Sequence, residues 1–358
     1  LQDSGTAIQL NVTQTGESGI WVGNVLGQWN LAGGLEWKGA ISGNPQPYLN
    51  LYPAIFNDSA SSFTVTITED VTPAIVNLNH TTDYTFTGAG GIIGTAGLTK
   101  DGPGKLTIVN SNTYSGGTYI TNGTVQLGNG GTSGSISGPV NNDGVFVFNR
   151  SDAITFNGIN GAGSIEQRGT GILTVGGANS YTGLAIIASG TLAAGSGSAV
   201  GVTNSGTVIS NTATLDVNSQ SLGAEPINAQ GAGVGGAGAI VNNGPGDQTT
   251  ATRYVTLDGP TTFGGARRWD IRVPTVANDP NGGNDAFLHG NGYNLTKVSS
   301  NVVGLISAGD TGLGDIDVQG GTLTFSRSTY MGNPSKKVTV RPGATLQLDR
   351  TSVLVNNI

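Results

Sequence analysis

Two histidines, His80 and His289, are all the imidazole this chain has. His-based triads and multi-histidine metal sites therefore have almost no material here. His289 lies in His-Gly-Asn-Gly292 and reads as a solvated turn residue. There is no cysteine, which excludes disulfides and thiolate metal sites. Cleaving a polysaccharide takes acids clustered on one groove. The acids here are dispersed; Asp315 and Asp317, at i and i+2, share one face of a strand. Asn278-Asp-Pro-Asn-Gly-Gly-Asn-Asp285 has oxygen donors for Ca²⁺, but its composition is also that of an ordinary Asn/Gly turn. Gly231-Ala-Gly-Val-Gly-Gly236 matches a dinucleotide fingerprint in letters alone, with no strand–helix context, in a chain of 61 glycines. Trp21, Trp29 and Trp37 recur at a regular short spacing. They suit a sugar-stacking platform or, as the preferred reading, a plug for the open end of a core. Arg267-Arg268-Trp269 could set a guanidinium over an indole. From this inventory no catalytic, cofactor-binding or metal-ligating residue is assigned, and no cofactor is expected.

The elements that carry these residues are strands. Helix formers are scarce, with one Met, five Glu and six Lys. Short apolar-alternating triplets such as Leu106-Thr-Ile108, Val145-Phe-Val-Phe148 and Leu173-Thr-Val175 recur between Gly, Asn and Ser clusters. Two stretches repeat without a gap at an offset of 67 (181 minus 114), so that Leu106, Tyr114, Ile120 and Gly123 meet Leu173, Tyr181, Ile187 and Gly190. A looser copy runs from Gly321-Thr-Leu-Thr-Phe325 to Gly343-Ala-Thr-Leu-Gln-Leu348. Corresponding strands return about every 19 to 22 residues, the length of one coil of a repeat β-helix. The fold expected is therefore all-β, a parallel β-solenoid, with inward aliphatic rows, Gly and Asn corners and outward Thr. Wound throughout, the chain would make roughly 15 to 18 coils rising about 4.8 Å each. Residues 1–88, rich in Trp, are expected to form an N-terminal β cap segment. The solenoid is expected over 89–230, a Gly-rich loop or boundary over 231–247, and continued solenoid over 248–358.

A net charge of −7 disfavours nucleic-acid or anionic-membrane partners. No apolar run approaches the roughly 18 residues a membrane helix needs, so no membrane insertion by this chain is expected. A chain beginning at Leu1 reads as a processed secreted protein or an excised fragment.

The run Leu98-Thr-Lys-Asp-Gly-Pro-Gly-Lys-Leu-Thr-Ile108, then Asn112-Thr-Tyr-Ser-Gly-Gly-Thr118 and Asn122-Gly-Thr-Val-Gln-Leu127, closely resembles the autotransporter-associated β-strand repeat, also called the passenger-associated transport repeat. Residues 289–298 and 315–325, and the opening with Ile55-Phe-Asn-Asp58, resemble the long secreted bacterial proteins that carry it. The resemblance implies a right-handed parallel β-helix, secreted or displayed at the bacterial cell surface, and accounts for Asp315 and Asp317 as strand residues. It brings no catalytic residues with it. Nothing in the sequence matches the membrane β-barrel with which an autotransporter ends. The function expected is a non-enzymatic extracellular structural protein, a rod acting as surface adhesin, stalk or filament subunit. The alternative is a carbohydrate-binding or polysaccharide-degrading β-helix. Glycans or cell-surface components are the expected partners. Thr345-Leu-Gln-Leu348 and Val353-Leu-Val355, as an apolar edge, suggest head-to-tail self-association.

Overall fold

The computed structural model describes residues 2–3, 8–9, 16–31, 34–203, 206–272, 286–310, 312–327, 329–348 and 353–354. The chain divides into two compact units, residues 1–119 with 135–138, and residues 120–134 with 139–358. The fold is all-β, and the described residues hold one short 3-10 turn, Val234–Gly236, and no α-helix.

The first unit begins antiparallel and becomes parallel. Gly19–Trp21 pairs antiparallel with Trp37–Gly39, which pairs antiparallel with Pro45–Gln46. Gly19–Trp21 then pairs parallel with Ala54–Asn57. From there one ladder steps from Ala54–Asn57 to Val76–Asn79 to Leu98–Asp101. A second steps from Gln28–Trp29 through Thr64–Ile67 and Tyr84–Thr87 to Lys105–Ile108. The steps along the first ladder are equal in length, so alternate residues fall into inward columns, Ala54–Val76–Leu98 and Phe56–Leu78–Lys100.

The second unit is parallel from its first strand. Thr124–Leu127 leads to Val145–Phe148, Ser164–Gln167, Ala185–Ile187, Thr207–Ile209 and Pro226–Gly231, in steps that match the coil length expected from the repeat. Two steps are longer. Pro226 pairs with Tyr254, and Tyr254 with Phe287. The first of these spans the Gly-rich segment, where Ile240–Val241 still forms a rung against Leu215 and Asp216. These long steps, and the antiparallel opening of the first unit, leave about 13 turns rather than the 15 to 18 that regular winding would give.

Corners explain the glycine content. In the motif Gly-Thr-apolar the glycines Gly123, Gly190 and Gly321 take φ of 72°, 62° and 59°. A Cβ on Gly190 would lie 2.3 Å from the Gly169 carbonyl oxygen, and one on Gly321 2.3 Å from that of Asn301. Left-handed backbone under a neighbouring coil leaves room for no side chain.

Candidate functional site

The repeated residues serve the backbone. Asn112 Oδ1 accepts the Ile92 N–H at 2.9 Å, and Asn179 Oδ1 accepts the Ile159 N–H at 3.0 Å; both partners shift together by the repeat offset. Each amide thus ties a corner to the coil before it. Tyr114 and Tyr181 are fully buried. Tyr114 Oη shares a 2.7 Å hydrogen bond with Thr118 Oγ1, and Tyr181 donates to the Ala199 carbonyl at 3.1 Å. They are inward corner residues.

Two inward positions hold lysines, which the sequence reading passed over. Lys100 is fully buried above Phe56 and Leu78, and Lys297 is fully buried between Phe263 and Val318. Lys100 Nζ donates to the carbonyls of Asp101 at 3.0 Å and Gly102 at 2.8 Å. Lys297 Nζ donates to Val298 at 2.5 Å, Ser299 at 3.0 Å and Gly320 at 3.1 Å. Burial pushes both ammonium groups down to about 8. At the position equivalent to Lys100 in the second repeat, Gln167 does the same work, donating to Gly169 and Gly171 at 2.8 and 3.1 Å. The alternation Leu98-Thr-Lys100 and Leu295-Thr-Lys297 was the available signal, since parity puts each lysine inward with its leucine.

The side chains singled out for chemistry are mostly structural. Trp21, Trp29 and Trp37 are buried. Trp29 meets Trp37 edge-on at 5.2 Å and Tyr48 at 5.1 Å, and packs on Phe56 and Phe86, so the indoles are a core plug and the sugar-platform reading of them fails. His80 is buried; its Nδ1–H donates to the Thr82 carbonyl at 2.7 Å, and Nε2 has no hydrogen-bond partner. Burial, then Lys100, lowers its pKa, which keeps the ring neutral. Arg268 clasps Asp270 through two bonds of 2.8 and 2.9 Å rather than covering an indole. Trp269 is buried and donates to the Gly264 carbonyl at 2.9 Å. Asp317 is paired with Arg341 at 2.9 Å, and Asp315 accepts the Lys337 N–H at 3.1 Å, so neither stands as an acid–base pair. Leu348 at the expected apolar edge is 43% exposed; Val353 is placed in backbone only, and Val355 lies outside the described residues. The Asn278–Asp285 segment also lies outside the described residues. Among the described residues no group of three or more His, Asp or Glu is placed to hold a metal ion, and no helix is long and apolar enough to cross a membrane.

One outward face is not accounted for by the winding. Tyr254 and Phe287 are opposite one another on adjacent rungs, their rings stacked at 5.8 Å and 19°. His289, on the same strand as Phe287, stacks on it at 5.2 Å and 7°. Arg253 lies 5.0 Å over the Tyr254 ring. His289 therefore ends the strand Ala286–His289 rather than sitting in a turn, although it is exposed as expected. On the neighbouring outward column Asn228 faces Thr256 and Thr256 faces His289, and Asn228 donates to Asp258 at 2.9 Å. Sequence spacing gave no hint of this cluster, because the coil that joins Tyr254 to Phe287 is longer than the repeat.

Comparison with known proteins agrees with the repeat. Residues 98–127 and 165–194 match the passenger-associated-transport-repeat, so the chain carries two copies of that repeat on a parallel β-solenoid. The chain is also similar to the adhesin BmaC autotransporter of Brucella suis biovar 1 (strain 1330), 41% identical over 88 residues. That stretch is 24% of this chain and 3% of the relative, so the chain spans a small part of that protein's length. No solved structure matches.

Proposed function

We propose that this chain is a stretch of a bacterial surface adhesin, an extracellular β-solenoid of the autotransporter-passenger kind. The observation that carries the reading is the pair of passenger-associated transport repeats, whose shared residues stack one coil on the next through Asn112 and Asn179. The similarity to an autotransporter adhesin supports adhesion as the role and the cell surface as the place. We further propose that the role is mechanical rather than enzymatic. Parallel ladders bond every rung to the next, and outward Thr, Ser and Asn present hydroxyls and amides for contact. The paired Asp317 and the backbone-bound Asp315 favour this over polysaccharide cleavage.

The test is display of the full 358-residue chain on a non-adherent bacterium, with attachment to cultured cells counted against an undisplaying control. Increased attachment is expected. Equal attachment across several cell types would refute the adhesin reading. Release of new reducing ends from a polysaccharide panel would refute the non-enzymatic one.

A further inference from the structure

The outward column through the aromatic stack continues beyond Phe287. Phe287 faces Gly309 on the next rung, and Gly309 faces Tyr330 on the rung after. The column thus reads Tyr254, Phe287, Gly309, Tyr330, with one rung that carries no side chain between two rings. Tyr330 is 42% exposed. Two rungs separate Phe287 from Tyr330 by about 9.6 Å at the usual strand spacing. Two carbon contacts of about 3.5–4.0 Å, one on each side, fit inside that distance with a single saturated ring between them. The floor is backbone; on the Phe287 strand His289 stacks on the Phe287 ring, and Tyr330 brings a phenol to the far side of the Gly309 rung.

We propose that the gap over Gly309, walled by Phe287 and Tyr330, is a subsite for one neutral hexopyranose ring of a cell-surface glycan. A pyranose has an apolar C–H face that packs on an aromatic ring and a rim of hydroxyls that needs donors and acceptors, and the gap supplies both. The charge balance selects a neutral sugar. The chain carries −7, and exposed Asp258 lies on the same outward face as Thr256, which pairs with His289. Arg253 lies over Tyr254, at the rung before Phe287. An aromatic side chain of a partner protein is the competing occupant. This proposal deepens the adhesin reading and rests on it for the surface that presents the glycan.

Saturation-transfer NMR of the full chain with lactose, cellobiose, maltose, N,N′-diacetylchitobiose and 3′-sialyllactose tests it. At least one neutral disaccharide is expected to receive saturation at its ring C–H protons. Gly309→Thr, which fills the gap at an outward strand position where Thr is favoured, is expected to weaken that binding about tenfold. Tyr330→Ala, which removes one wall, is expected to do the same without filling the gap. Thermal melts establish that each variant is folded. Binding of none of the neutral sugars, binding of the sialylated one alone, or neutral binding that survives both substitutions would overturn the proposal. Attachment of the displayed chain separates the two failures. Attachment without sugar binding sinks the subsite alone, whereas loss of attachment by the unsubstituted chain sinks the adhesin reading.

Discussion

Replacing Lys297 with glutamine should make the second unit more stable at neutral pH, although it removes a charge held by three carbonyls. The ammonium bonds to Val298, Ser299 and Gly320 inside a column that is otherwise Phe263, Val318 and Val340. Desolvation moves its pKa from 10.5 to about 8. The folded-state pKa lies below the unfolded one, so between about pH 8 and 10.5 the unfolded chain holds the proton more tightly. Stability therefore rises with pH across that window, by up to about 3 kcal/mol. At pH 7 the charged form carries that cost in full. A glutamine still donates to the corner, as Gln167 does to Gly169 and Gly171, but has no charge to desolvate. Lys297→Gln should then gain about 1–3 kcal/mol at pH 7, after the loss of one hydrogen bond, and lose the rise above pH 8. Lys297→Met leaves three carbonyls without their donor and should cost about 1–3 kcal/mol. Urea midpoints at pH 7 and pH 10, with hydrogen exchange of the Leu295–Lys297 amides, read the effect locally, as suits a repeat fold. A glutamine variant less stable than the parent at pH 7, or one that keeps the alkaline rise, would refute the reasoning.

Glu225 works in the opposite direction. Its carboxyl is buried, bonded to Thr207 on one oxygen with none on the other, and burial raises it to about 7. Its raised folded-state pKa means stability is present in full below about pH 4.5 and lost as pH rises through 7. Glu225→Gln should abolish that loss in melts from pH 5 to 8. Asn179→Ala should cost about 1–3 kcal/mol in urea by orphaning the Ile159 N–H, and Asn112→Ala should cost the same in the first unit at Ile92. Trp29→Ala opens the aromatic plug and should cost about 3–5 kcal/mol, seen as early exchange of the Thr64–Ile67 amides with no change in those near Thr207.

The winding was legible in the repeats alone. The offset that aligns Tyr114 with Tyr181 also aligns Asn112 with Asn179; in the structure the two asparagines make the same bond to the preceding coil, and both tyrosines are buried, though their hydroxyls find different partners. The Gly-Thr-apolar motif foretold its corners, since only glycine sits easily at φ near 60° beneath a neighbouring carbonyl. These features are local, because a coil's geometry depends on residues within about one repeat. The buried tryptophans match the plug expected of them, and strand parity points Lys100 and Lys297 inward, but that their ammonium groups end on corner carbonyls is decided by packing. The outward row Tyr254, Phe287, Gly309 and Tyr330 emerged only from the folded chain. Its members are spaced unevenly along the sequence, and only the hydrogen-bonded register of successive coils brings them onto one line. Periodicity specifies what repeats; rung pairing decides which side chains from irregular coils meet, because a parallel ladder aligns strands whatever the length of chain between them.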